Sequence, residues 1–356
     1  MSSNSAIEWT ETTWNPVTGC DKTSAGCGQP RWDGDDTGGC YALAMAKRLK
    51  AMGSDKYQRD GNPRSSGPGF AVTMHPDVLN QPLHWRQPRR VFVNSMSDLF
   101  HPLVSDDFIA RTFAIMQLAG QHTFQILTKR SPRMRHLLGD REFLTHVDDH
   151  RARLAPGCGD VTWPLPNVWL GVSAEDQLHG DRRISDLRRT PAAVRFVSAE
   201  PLLGPLDLTR HLAPHTTTAW TPQHLHDTAQ KRLLAQHVRA AARRLGDYYI
   251  DWVIAGGESG PGARPMHPTW ARALRDQCAA AGVAFFFKQR GEWTWQRPEQ
   301  GDLYADLYVD EATGRTADAS QIDPLGSWQG VWRVGKKRAG RMLDGRTHDD
   351  YPAVRA

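Results

Sequence analysis

Six short, nearly continuous apolar runs recur along the chain: VFVNS (91–95), TFQILT (123–128), NVWLGVS (167–173), VRFVS (194–198), DWVIAG (251–256) and VAFFFK (283–288). Runs of this length without polar alternation suit strands buried on both faces, as in a parallel sheet covered by helices. The segments between them are long enough for helices, and SDDFIARTFAIMQLAG and PTWARALRDQCAAAG have helical periodicity closed by glycine. With an earlier strand near IEWT (7–10), the alternation predicts an α/β chain, a partial or complete parallel β/α barrel. Residues 1–290 are expected to form the barrel and residues 291–356 a C-terminal extension or small subdomain. Insertions are expected at about 53–69, which has turn composition, and at 205–248, where a His-rich stretch precedes the basic helical pattern AQKRLLAQHVRAAARRL. The irregular spacing of His211, His215, His224, His226 and His237 suits a solvated surface better than a metal site.

With 39% hydrophobic and 23% charged residues among 356, disorder and a fibrous repeat are excluded. No apolar run reaches the roughly 20 residues that cross a bilayer. The opening MSSNSAIEWTE lacks the basic and apolar regions of a signal peptide, so a cytoplasmic protein with no membrane partner is expected. A net charge of +5 is compatible with nucleic acid without demanding it.

Ligands of a parallel barrel normally sit at the C-terminal ends of its strands. Here those ends carry Asn94, Ser95, Ser97 and Asp98; Thr128, Lys129 and Arg130; Ser173, Glu175 and Asp176; Glu200; Gly256, Gly257, Glu258 and Ser259; and Lys288, Gln289 and Arg290. A single polar strand end is what any loop contains, but six together point to a site. The glycines of VIAGGESGPG permit close backbone approach to a ligand, and a tight structural turn explains them equally well.

Three of the five cysteines, Cys20, Cys27 and Cys40, crowd into a Gly-rich polar segment after the first expected strand. That arrangement favours a metal or cluster site over a disulfide framework. Structural zinc is usually closed by four ligands, so three thiolates would need a partner such as His75 or an aspartate near Cys40. A four-iron cluster held by three cysteines instead keeps one iron free for a substrate or cofactor. The spacing Cys20-x6-Cys27-x12-Cys40 alone leaves cluster, zinc and structural thiols open. Cys158 and Cys278 read as ordinary thiols.

The longer words WNPVTGC, CYA, VFVNSMSDLFHP, ILTKR, NVWLGVSAEDQ, RFVSAEPLLGPL, DWVIAGGESGPGARPMHP, FFFKQRG and GKKRAGRMLDGR resemble the phage- and mobile-element-associated three-cysteine family of radical-SAM-like proteins. The resemblance runs from about residue 7 to 352. It implies a radical-SAM-type barrel with a [4Fe-4S] cluster at Cys20, Cys27 and Cys40, and S-adenosylmethionine (SAM) on the fourth iron. An external electron donor would reduce the cluster, and cleavage of SAM to a 5′-deoxyadenosyl radical would start the reaction on the substrate. This chain departs from the family, which typically has two residues between its second and third cysteines, because GQPRWDGDDTGG intervenes between Cys27 and Cys40. Such an insertion costs little closure entropy. Its Asp33, Asp35 and Asp36 read as a solvated turn, since DGDD lacks the remaining ligands of a calcium loop.

NSMSDLF and ILTKR are also similar to strand-end words of spore photoproduct lyase and its radical SAM relatives, which repair a thymine lesion in DNA. That similarity implies Ser95, Ser97 and Asp98 as SAM contacts, and Lys129 facing the SAM carboxylate or a substrate phosphate. Asn94, Thr128, Ser173, Gly256, Gly257 and Glu258 complete the candidate cofactor contacts, with Lys129, Glu200 and Lys288 as candidate catalytic groups. The plainer alternatives are a helix N-cap for Ser105, a loop role for Asp98 and a surface position for Lys129. Basic groups at RQPRR (86–90), KRSPRMR (129–135), RRLG (243–246) and GKKRAGR (335–341), with Trp293, Trp295, Trp328 and Trp332, suit phosphates and stacked bases. The expected substrate is therefore a nucleic-acid base or nucleotide, modified or repaired. The alternative is a zinc-stabilised or metal-free nucleic-acid-binding barrel, or one that acts through a partner protein encoded nearby.

Overall fold

The computed structural model describes residues 5, 7–28, 39–157, 159, 162–212, 248–299 and 304–353. In chain order its strands are β1 (Thr12–Trp14), β2 (Val17–Thr18), β3 (Thr73–Met74), β4 (Arg90–Val93), β5 (Thr123–Thr128), β6 (Val168–Ser173) and β7 (Val194–Ala199). They continue with β8 (Trp252–Gly256), β9 (Ala284–Gln289), β10 (Trp293–Thr294), β11 (Leu307–Asp310), β12 (Thr316–Ala317) and β13 (Trp328–Arg333). Seven of them form one sheet in the order β1-β4-β5-β6-β7-β8-β9, and its described pairings are parallel. This is a partial parallel β/α barrel. Each of the six apolar runs became one of its strands, and β6 and β7 are buried at every position, which is why their sequences do not alternate.

The first strand lies at Thr12–Trp14, not at 7–10. The Thr10 N–H closes a turn on the Ile7 carbonyl at 3.3 Å, and Trp9 packs its ring 4.7 Å from that of Phe92. The apolar character of IEWT therefore serves packing, and the ladder to β4 begins where Thr12 faces Val91.

The described contacts divide the chain into two compact units, the first comprising residues 1–27, 40–172 and 185–195 and the second 28–39, 173–184 and 196–356. In the first unit, helix α1 (Tyr41–Ala51) follows Cys40 directly. Helix α2 (Asp106–Leu118) starts on Ser105, whose Oγ accepts the Phe108 N–H at 3.3 Å, and Asp106 and Asp107 sit at its positive end. The turn-rich stretch 53–69 is tied down: Asp60 accepts the Gly69 N–H at 2.7 Å, and Tyr57 and Phe70 join Ala42, Leu43, Ala46 and Met96 in an apolar cluster. In the second unit, the helix Pro268–Ala281 begins with proline and ends at Gly282, whose φ of +63° lies in the left-handed region that favours glycine. Strands β10, β13, β11 and β12 form a separate antiparallel sheet in that order. Near the chain end Tyr351 packs on Trp252 and Phe286, with ring centroids 5.1 and 5.7 Å away.

The basic helical pattern at 229–245, four of the five clustered histidines and Cys158 lie outside the described residues. Among the described residues, no helix is long and apolar enough to cross a membrane.

Arg195 on β7 is 1% exposed and donates to the carbonyls of Leu187, Thr190 and Ala192 at 3.2, 2.6 and 3.1 Å. An apolar replacement strands these acceptors in the interior. Urea unfolding of Arg195→Met is expected to show a loss of about 2–4 kcal/mol, and a loss below about 0.5 kcal/mol would refute this structural role.

Candidate functional site

Cys20 follows Gly19, which has φ of +86° and no room for a side chain, since a Cβ would stand 2.2 Å from the Ala71 carbonyl oxygen. The loop after β4 grips this segment from the other side. Asn94, in the left-handed region at φ 61°, donates its N–H to the Trp14 carbonyl at 2.8 Å and accepts from the Val17 N–H at 3.3 Å. Ser97 Oγ donates to the Val17 carbonyl at 2.7 Å, and the Met96 carbonyl accepts the Gly19 N–H at 3.0 Å. Ser95 Oγ and the Met96 N–H both meet Asn15 Oδ1, at 3.1 and 3.2 Å. In the described contacts, Asn94, Ser95 and Ser97 thus hold the cysteine-bearing backbone.

One step further on, the carboxylate of Asp98 is 5% exposed and densely paired. It accepts from Thr128 Oγ1 at 2.7 and 2.9 Å, the Lys129 N–H at 3.1 Å, the Phe100 N–H at 3.0 Å and Arg130 Nη1 at 3.2 Å. The same Arg130 Nη1 lies 3.2 Å from Cys20 Sγ, and Nη2 donates to the Asp21 carbonyl at 3.2 Å. Asp21 in turn accepts from Ser65 Oγ at 2.6 Å and pairs with His101 Nε2 at 3.0 Å. Because His101 Nδ1 accepts the Leu103 N–H, its ring proton belongs on Nε2, facing Asp21. Arg130 was read from sequence only as one of the polar strand ends, without a role, and Asp21 and His101 were not singled out, although each sits in or beside one of the words ILTKR, WNPVTGC and NSMSDLFHP.

The three cysteines are free, and Cys20 and Cys40 pack against the same apolar cluster. Burial pushes the Cys20 thiol up to about 12, with the Asp98 charge adding and Arg130 opposing. Cys40, at the N-cap of α1, is also raised by burial, against the pull of the Leu43 N–H. Cys27 is desolvated too, yet the Lys129 charge and hydrogen bonds from Thr23 outweigh burial and lower its pKa. The Cys27 charge raises both Cys20 and Cys40. Among the described residues, no group of three or more His, Cys, Asp or Glu side chains is placed to hold a single metal ion. His75 turns its Nε2 to Thr18 Oγ1 at 2.8 Å. The insertion's aspartates lie outside the described residues, and Cys278 is fully buried in its helix.

The remaining candidates belong to the second unit. Ser173 ends β6 almost fully buried, its carbonyl accepting from Arg183, which also pairs with the buried Glu175 at 2.8 Å. Lys288 Nζ donates to Glu200 Oε1 at 2.6 Å, both side chains less than a fifth exposed. A Cβ on Gly256 would make ordinary contact with Glu200 at 3.4 Å, whereas one on Gly257 would stand 2.0 Å from the Arg290 carbonyl oxygen. Gly257 is therefore required by backbone packing. Glu258 is 3% exposed and held by Arg264, which donates from Nε at 2.8 Å and Nη2 at 2.7 Å. An incoming ammonium group must compete with that fork.

Residues 4–352 match the model of a family described as protein of unknown function (DUF5131). No curated protein matches the chain. Among solved structures, a cysteine-to-serine variant of spore photoproduct lyase aligns at 11% identity and a TM-score of 0.34 over 94% of this chain and 71% of that one. A tyrosine-to-phenylalanine variant gives 11% and 0.35 over 95% and 72%. A variant with bound AdoMet and dinucleoside spore photoproduct gives 11% and 0.33 over 83% and 68%. Scores at this level assign no activity.

In the metal-free protein, Cys27 should ionise first. Iodoacetamide labelling read by peptide mass spectrometry is expected to modify Cys27 below the ordinary thiol range, and Cys20 and Cys40 only above it. Lys129→Met should move the Cys27 onset to higher pH. A common onset for all three thiols would contradict these electrostatics.

Proposed function

The chain belongs to the DUF5131 family, whose description names no activity, and from its own site we propose that it is an iron–sulfur, SAM-dependent radical enzyme. Its substrate would be a nucleic-acid base or nucleotide. The observation that carries the reading is the gathering of three cysteines without a disulfide, Cys20 bonded to Arg130 and both Cys20 and Cys40 within reach of the Cys27 charge. The donor chemistry fits a thiolate-held cluster: three soft ligands, two nearby cations and an apolar wall. Thiolates on one zinc ion must close to within about 3.8 Å of each other at Zn–S distances of about 2.3 Å. Thiolates on different irons of a cluster stand farther apart.

Cys20, Cys27 and Cys40 would each hold one iron and leave the fourth open to SAM. When bound and reduced by an external donor, such a cluster supplies the electron that cleaves SAM homolytically. The chain's own groups set the conditions. Arg130 would donate to the Cys20 sulfur, favouring the thiolate and raising the potential of the centre, while Asp98 fixes the guanidinium in place. Lys129 adds positive charge beside Cys27 and Cys40, where it can meet a carboxylate or phosphate. In the second unit the Glu200–Lys288 pair would carry protons, one group as acid and the other as base.

Anaerobic reconstitution with iron and sulfide is expected to give about four irons per chain, a thiolate-to-iron absorbance band and, after reduction with SAM, 5′-deoxyadenosine. Cys20→Ala, Cys27→Ala and Cys40→Ala should each abolish that product, while Cys278→Ala should retain it. Stoichiometric zinc without iron in anaerobically purified protein, or wild-type iron content in the triple variant, would overturn the assignment.

A further inference from the structure

The second unit contains a cavity of about 510 Å³ whose wall carries Arg290, Arg297, Arg338 and Arg341 against one carboxylate, Glu299. Arg290 is 5% exposed, and its hydrogen bonds go to neutral groups. Its Nε donates to the Met342 carbonyl at 2.9 Å, and Nη1 donates to Thr294 Oγ1 and Gln296 Oε1, each at 3.0 Å. The guanidinium lies 4.3 Å from the Trp295 ring centroid, which holds its plane in place. Burial and the charge of Arg272 disfavour its protonated form, and the Asp344 carboxylate only partly offsets them. A buried cation hydrogen-bonded only to neutral groups is costly, and an anion seated in the cavity lowers that cost.

Arg341 adds a second fixed guanidinium. It pairs with Asp349, lies 5.2 Å over Phe286, and keeps a buried Nε without a hydrogen-bond partner. Arg297 and Arg338 are exposed at the cavity wall. Planar guanidinium forks match phosphate oxygens, and the adjoining exposed Lys336 and Lys337 extend the basic surface beyond one phosphate. A chain of phosphates therefore fits better than a single anion.

We propose that this cavity seats backbone phosphates of a single-stranded nucleic acid, with Arg297 and Arg338 as the exposed contacts and Arg290 and Arg341 as the fixed ones. The inference deepens the functional reading above and takes from it only the choice of nucleic acid among phosphate-bearing ligands.

The test is fluorescence anisotropy of a labelled single-stranded oligonucleotide over a salt series. The wild type is compared with the Arg297→Ala/Arg338→Ala double variant, whose exposed side chains leave folding intact by circular dichroism. The variant is expected to bind at least tenfold more weakly. Its log affinity against log salt should flatten by about 1.4, because each phosphate contact on a single strand contributes roughly 0.7. A double Arg→Lys variant should keep the wild-type slope. Unchanged affinity and slope in the alanine variant would overturn the proposal. So would a wild type that ignores the oligonucleotide but binds pyrophosphate in an arginine-dependent way. Cys20→Ala, which should lose iron yet bind the oligonucleotide as wild type does, keeps failure of this site distinct from failure of the cluster.

Discussion

A single guanidinium ties the thiol site to the sheet. Arg130 follows β5 and is buried between the Asp98 carboxylate, the Cys20 sulfur and the Asp21 carbonyl. Asp98 comes from the loop after β4 and also takes the Thr128 hydroxyl and the Lys129 N–H at the end of β5. Two strand ends and the cysteine segment thus converge on one ion pair whose members are about a tenth exposed. A buried pair of this kind adds little net stability over an apolar substitute, but losing one partner leaves the other charged and desolvated. The arrangement specifies position. The network continues outward through Asp21 to Ser65 and His101, so the stretch 53–69 and the turn after Asp98 are held to the same point.

The parts of the fold legible in the sequence are those where one local rule operates. Continuous apolar runs located β4 to β9 because strands buried on both faces have no polar alternation to hide. Ser105 and Gly282 were legible as helix ends because capping is a short-range interaction. The first strand was misplaced because Ile7 and Trp9 are apolar for packing, while Thr12 and Thr13 enter the ladder through pairing with β4, which local sequence does not display. The same limit governed the site. Crowded thiols and polar strand ends could be seen, but the pairing of Arg130 with Cys20 spans 110 residues and that of His101 with Asp21 spans 80. Long-range partners of that kind follow from topology alone. Close approach was equally hidden: the backbone clash that excludes a side chain at Gly257 comes from Arg290, across the β8–β9 pairing.

The charge balance at the thiols sets how such a site can fill. Three thiolates beside the Asp98 carboxylate would bring four negative charges against Lys129 and Arg130, in surroundings that desolvate every one of the sulfurs. Burial favours the protonated form of Cys20 and Cys40, whereas Lys129 and Thr23 favour the thiolate at Cys27. A cationic iron–sulfur centre of the kind proposed would reverse that balance, because it would stabilise all three thiolates. Cys27 would then be the thiol readiest to act as a ligand, and Cys20 and Cys40 would depend on the positive charge of the centre to ionise. Proton release and iron uptake become one coupled process. Arg130 already donates to the Cys20 sulfur and would favour its thiolate form.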